Sequence, residues 1–216
     1  AELELLTPYR DPLPEVVFTT EFSPPKTDGS GNMRAPIGQA LELFRAAGWT
    51  IEGNRLIDAR GQQMTVEFLL YEQTMTRIIN PFIANLKRAG INASVRIIDV
   101  ASWQNRVRDF DFDIVIRRFP QPEIPGVEQR NWWGSASADV MGGLNIAGVK
   151  SPAVDALIEK IIEAKTEDDL VTAARALDRV LMWNYYFIPQ WYKNTHFIAY
   201  WDKFGRPDAE KPGFDR

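Results

Sequence analysis

The chain has 216 residues, 45% hydrophobic and 25% charged, with a formal net charge of −4. That composition suits an ordinary folded protein with a sizeable core, whereas the acidic balance argues against a nucleic-acid partner, and no apolar run approaches the roughly 20 residues of a membrane span. With no cysteine and His196 as the single histidine, disulfides, thiolate or histidine metal clusters and cysteine nucleophiles are excluded, and a Ser-His-Asp triad has one candidate base.

The N-terminal stretch AELELLTPYRDPLP lacks the basic segment and apolar core of a signal peptide and starts abruptly, so a piece of a longer chain is expected. Residues 7–36 are rich in Pro, Gly, Ser and Thr; Val16, Val17 and Phe18 could pair as a strand, and the rest reads as extended connector. Pro36 opens a helix with Ile37, Ala40, Leu41, Phe44 and Ala47 at steps of three and four, and Gly48 stops it. Gly53-Asn54 signals a two-residue hairpin between Trp49–Ile51 and Arg55–Ile57. Gly61 turns the chain into a strand at Met64–Tyr71.

A helix over about Thr76–Ala89 carries an Ile78, Ile79, Phe82, Ile83, Leu86 stripe, ends at Gly90 and contains Pro81, which predicts a late start or a kink. Then follow a strand at Ala93–Ile98, a short helix around Ser102–Arg108 and a strand at Asp113–Ile116. Helices alternating with strands in this way predict an α/β layer with crossover helices. Farther on, Ser151-Pro152 caps a helix bearing Val154, Leu157, Ile158, Ile161 and Ile162, and Thr166 with Asp169 makes a capping box for the next. From Tyr185 the pattern turns aromatic and extended, as two strands joined near Lys193-Asn194, with Trp191, Tyr192, Trp201 and His196 in structural roles.

The most informative stretch is FDIVIRRFPQPEIPGVEQRNWWGS, from Phe112 to Ser135. It reads as a buried strand feeding a long loop with adjacent tryptophans, arginines, carboxylates and prolines, the kind of loop that carries recognition. Arg117 and Arg118 should point to opposite faces, one of them toward a ligand carboxylate or phosphate, unless they pair with Glu123, Glu128 or Asp113. Of Trp132 and Trp133, one is expected in the core and the other lining a cleft. Glu128 and Gln129 could hold an ammonium or an amide, or simply brace the loop. Asn145, in a Gly-flanked turn, is a weaker pocket candidate beside a plain backbone role.

The order of motifs resembles the C-terminal part of family 5 extracellular solute-binding proteins, the oligopeptide-binding components of bacterial ABC importers. The resemblance is carried by ALELFRAAGW, GNRLIDARGQQMTVEFLL, FIANLKRAGINASVRIIDVASWQNRVRDFDFDIVI, SPAVDALIEKII, ALDRVLMWNYYFIPQWY and IAYWDKFGRP, over roughly residues 33–207. PGVEQRNWWGSASAD is similar to the YejA-type branch. The resemblance implies an α/β chain forming one lobe of a two-lobed periplasmic-binding-protein-like fold, a mixed sheet flanked by helices, with C-terminal strands returning to the other lobe. Residues 1–32 would then be a connector or strand from a missing N-terminal part, 33–184 the ligand-binding lobe and 185–216 the returning strands and tail.

It further implies a non-catalytic periplasmic carrier, made with a signal peptide and without cofactor or metal, that takes a peptide or peptide-like compound to an ABC permease. The ligand residues would be Arg117, Arg118, Phe119, Gln121, Glu123, Glu128, Gln129, Trp132, Trp133 and Asn145. In one respect the sequence departs from the family. Many members carry an acid just after the strand equivalent to Ile114–Ile116 to meet the ligand's α-ammonium; here Arg117-Arg118-Phe119-Pro120-Gln121 follows, and Glu123 or Glu128 would have to serve from a shifted position. Two alternatives stand beside this reading: a carrier of a sugar, opine or chelate on the same fold, and a glycan hydrolase using Glu123 and Glu128 beside the tryptophans.

Overall fold

The computed structural model describes residues 1–192 together with Thr195, Phe197, Ala199, Trp201 and Lys203. In chain order the elements are α1 (Glu2–Leu6), α2 (Val16–Thr19), α3 (Arg34–Ala46), β1 (Thr50–Glu52), β2 (Arg55–Ile57), β3 (Thr65–Leu70), α4 (Thr76–Arg88), β4 (Asn92–Ile97), α5 (Val100–Arg108), β5 (Ile114–Val115), α6 (Gln129–Trp133), α7 (Pro152–Glu163) and α8 (Glu167–Trp183).

The α/β class holds. Strands β4, β3 and β5 lie in that order as a parallel sheet, and β1–β2 form a separate antiparallel hairpin around Gly53-Asn54. β3 is central, so both its faces need cover, and its last three residues are buried apolar side chains. Phe68 and Leu70 pack against Ile79 and Ile83 of α4 on one face. Leu69 meets Trp103 and Val107 of α5 on the other, and the Trp103 indole N–H donates to the Leu69 carbonyl at 3.3 Å. The period of two along the strand thus directs alternate residues to two helical layers.

Helix α4 runs through Pro81 instead of starting after it. Pro81 is exposed in the second turn, where the carbonyl left without a helical donor faces water. Beyond the helix, Gly90 takes φ +86°, and its carbonyl accepts from the Leu56 N–H at 2.8 Å, which joins the hairpin to the sheet layer. A Cβ at Gly90 would lie 2.6 Å from the Leu56 nitrogen. Gly90→Ala therefore combines left-handed strain with a backbone clash, and a loss of about 2–4 kcal/mol in urea-unfolding free energy is expected.

A second core lies between α7 and α8 and takes in Trp132, Trp133 and Val149. The caps read from sequence are present: Ser151 accepts from the Val154 N–H at 3.4 Å and Thr166 from the Asp169 N–H at 3.1 Å. The N-terminal segment belongs to this core as well, which corrects its reading as an extended connector with a strand at Val16–Phe18. Leu6, Leu13 and Val17 are buried in it, and Val16–Thr19 is a single helical turn. Arg179 of α8 donates to the Val17 carbonyl and, at 2.7 Å, to the Thr20 carbonyl, which also accepts from the Trp183 indole at 3.1 Å. Packing against α8 overrides the β-propensity of the two valines, as tertiary contacts commonly do for so short a run.

Tyr185–Tyr192 adopts no strand, and Trp191, Tyr192 and Trp201, expected in the core, are exposed. The expected turn at Lys193-Asn194 and His196 lie outside the described residues.

Candidate functional site

Parallel strands present their carboxyl ends to one edge of the sheet, where ligands of open α/β folds are usually held. On that edge β3 runs into Tyr71 and Glu72, and β5 into Ile116, Arg117 and Arg118. The Tyr71 ring packs edge-on against Trp103 at 4.8 Å. The Glu72 carboxylate beside the Tyr71 hydroxyl pushes the phenol pKa up, with burial adding to it, while Arg118 and Arg117 pull it down. The Tyr71 hydroxyl thus lies within electrostatic reach of all three charges. Neither Tyr71 nor Glu72 stands out in the sequence, because nothing local marks the first residues beyond a strand as an edge.

The alternation expected for the arginines is present: Arg117 is partly buried and Arg118 exposed. None of the three carboxylates considered as partners pairs with them. Asp113 accepts the Glu67 N–H at 2.9 Å, Glu128 accepts the Gly126 N–H at 2.7 Å, and Glu123 is exposed. The Arg117 Nε is buried and has no hydrogen-bond partner among the described residues. A buried guanidinium N–H left unmet is costly.

After Pro120 the chain is braced on itself. The Gln129 amide donates to Gln121 at 2.6 Å and to Glu128 at 3.1 Å, and its carbonyl accepts from the Trp133 indole at 3.1 Å. Gln129 is thus consumed internally. Burial opposes ionisation of Glu128, but the N–H groups of Gly126 and of Glu128 itself and the Gln129 amide outweigh it and hold its pKa below the usual glutamate range. A depressed folded-state pKa means that this stabilisation is complete above the unfolded glutamate range and is lost as the pH falls through the lowered folded value. Urea-unfolding midpoints of Glu128→Gln should therefore lie below the parent's at neutral pH and converge with them in acid.

Trp132 and Trp133 are both buried, contrary to a division between core and cleft. Residues 129–133 form a helical turn instead of a loop, and that turn sets both indoles against α7 and α8. Phe119 stacks on Trp133 at 5.1 Å and meets Trp132 edge-on at 5.3 Å, and Phe187 lies 5.6 Å from Trp133 and 5.8 Å from Phe119, so that the three rings form a triangle. Phe119, Trp133 and Phe187 line a cavity of about 320 Å³ together with Gln121 and with Leu177 and Asp178 of α8. Trp133 thus reaches a cavity with one face, whereas Trp132 does not line it.

Asn145 is no part of this surface, which corrects its place among the ligand residues. Its amide donates to the carbonyls of Gly134 at 3.0 Å and Val149 at 2.9 Å, and its oxygen accepts the Val149 N–H at 2.9 Å. It is 1% exposed and functions as a clamp between α6 and the approach to α7. Among the described residues no cluster of His, Cys, Asp and Glu is arranged to hold a metal ion, and no helix is long and apolar enough to cross a membrane.

Comparison with known proteins gives these features a context. No family model matches the chain. Over 208 residues it is 46% identical to a probable peptide-binding protein, YejA, of Agrobacterium fabrum, covering 96% of this chain and 34% of that protein. It is 33% identical over 207 residues to a peptidoglycan-binding protein, YepA, of the same organism, again covering 96% of this chain and 34% of the relative. The chain therefore spans about a third of the length of the curated relatives it matches. Among solved structures, the oligopeptide-binding protein AppA of Bacillus subtilis, in complex with a nonapeptide, superposes with a TM-score of 0.62 over 86% of this chain and 38% of its own, at 13% identity. At that identity the likeness concerns the fold.

Proposed function

We propose that this chain, a relative of the YejA-type family 5 extracellular solute-binding proteins, supplies one lobe of a periplasmic carrier that captures peptides or peptide-like compounds and delivers them to an ABC importer permease. The observation that carries the reading is the Arg117 guanidinium, whose buried Nε has no partner among the described residues, at the carboxyl edge of a parallel sheet. A fork of this kind recognises a carboxylate through paired N–H donors, and a peptide carries one at its C-terminus. Arg118 and Tyr71 extend the same edge, and Phe119 leads from it to the aromatic cavity. The ligand would lie between this lobe and a second one supplied by the remaining length of such proteins, with hinge closure completing the site.

In this reading residues 1–22 join 33–184 in the lobe, since Leu6, Leu13 and Val17 pack into its α7–α8 core. No catalytic role is assigned. Glu128 accepts the Gly126 N–H at 2.7 Å and the Gln129 amide at 3.1 Å, which commits it to bracing its own loop. Thermal unfolding of the full-length protein tests the proposal. Tri- to pentapeptides with free C-termini should raise Tm, through about 2.7 kcal/mol of stabilisation at a hundredfold excess over Kd. A shift produced by oligosaccharides but not by peptides would replace it with a sugar carrier.

A further inference from the structure

The aromatic cavity contains one side chain that neither the fold nor the arginine edge explains. Asp178 sits on α8 facing the space walled by Phe119, Trp133 and Phe187. No described residue gives it a hydrogen bond or an ion pair, and burial among apolar neighbours pushes its carboxyl pKa up. The residue as a whole is exposed, so its carboxylate is free to meet a guest from solution. The nearest basic residues along the helix do not relieve it. Arg179 is committed to the Val17 and Thr20 carbonyls, and Arg175 is exposed and makes no ion pair with it.

A neutral apolar guest would strip water from this carboxylate without replacing it, and an anion would be repelled. A small hydrated metal cation would gain nothing from the aromatic walls. An organic ammonium satisfies both halves of the cavity: its N–H groups meet the carboxylate, its hydrocarbon displaces water from the rings, and π faces favour the positive charge. We propose that this cavity binds an ammonium ion with an apolar body, the amine paired with Asp178 and the hydrocarbon lying against Phe119, Trp133 and Phe187. A volume of about 320 Å³ accommodates one ring with a short chain.

The test is calorimetric titration of this chain with phenethylammonium, 2-phenylethanol and phenylacetate at neutral pH, repeated on Asp178→Asn. The amine should bind at least about tenfold more tightly than the alcohol, phenylacetate should bind more weakly than either, and Asp178→Asn should cost the amine roughly 10- to 100-fold while leaving the alcohol unchanged. An unchanged circular-dichroism melt would show that the variant stays folded, as expected when an unpaired carboxylate is removed. Equal affinities for amine and alcohol, no amine binding at all, or an amine affinity indifferent to Asp178→Asn would each overturn the assignment. The inference does not rest on the peptide reading, which is tested separately with peptides on the full-length protein.

Discussion

Asn145→Ala should destabilise the chain by about 3–5 kcal/mol, a larger loss than any surface substitution here would give. The wild-type side chain meets the Gly134 carbonyl and both backbone groups of Val149, at 2.9–3.0 Å, in a place that water does not reach. Alanine leaves the Val149 carbonyl and N–H buried without partners and takes one donor from the Gly134 carbonyl, which keeps the Ser137 N–H and hydroxyl, and each unmet group costs about 1–3 kcal/mol. Relaxation is blocked at Gly134, whose backbone is packed so closely that a Cβ would lie 2.6 Å from the Arg130 carbonyl oxygen. Asn145→Asp should be comparably damaging, because a carboxylate would then face those two carbonyls without a donor. Urea unfolding of the three proteins measures this directly, and a loss below about 1 kcal/mol for alanine would show that the clamp is replaceable.

Arg117→Met should act in the opposite sense on stability and strongly on binding. The substitution removes a partly buried charge whose Nε has no described partner and puts an apolar chain of similar reach in its place, so the unfolding free energy should stay level or rise. In the full-length protein the same change should weaken binding of a peptide with a free C-terminus by about 10- to 100-fold, and binding of its C-terminal amide far less. The opposition is the informative part: a residue kept for structure would lose stability and spare the ligand. Unchanged peptide affinity with lowered stability would return Arg117 to a structural role.

What the sequence made legible, and what it hid, divides along the range of the interactions. The Ser151 and Thr166 caps, the Gly53-Asn54 turn and the helical stop at Gly90 depend on residues within a few positions of one another, and all were readable. The burial of β3 was readable because a central parallel strand writes itself as an apolar run. Val16–Phe18 misled because its helical turn is imposed by α8, about 160 residues away along the chain. The tryptophan pair misled for a related reason: one short helical turn places both rings between α7 and α8, and the prolines before it suggested continuous loop. Arg117 and Phe119 could be nominated from their place after a strand. Tyr71, Glu72 and Asp178 could not, since Tyr71 and Glu72 meet the arginines, and Asp178 the aromatic cavity, from elements far apart in the chain.

The central claim is that the arginine edge and the aromatic wall form half of a site, and calorimetry with a short peptide on this chain and on the full-length protein, both confirmed folded, tests it most directly. We expect the full-length protein to bind and this chain to bind at least about a hundredfold more weakly, because an interface lacking one wall forfeits most of its desolvated contacts. Equal affinity in the two would contradict the account.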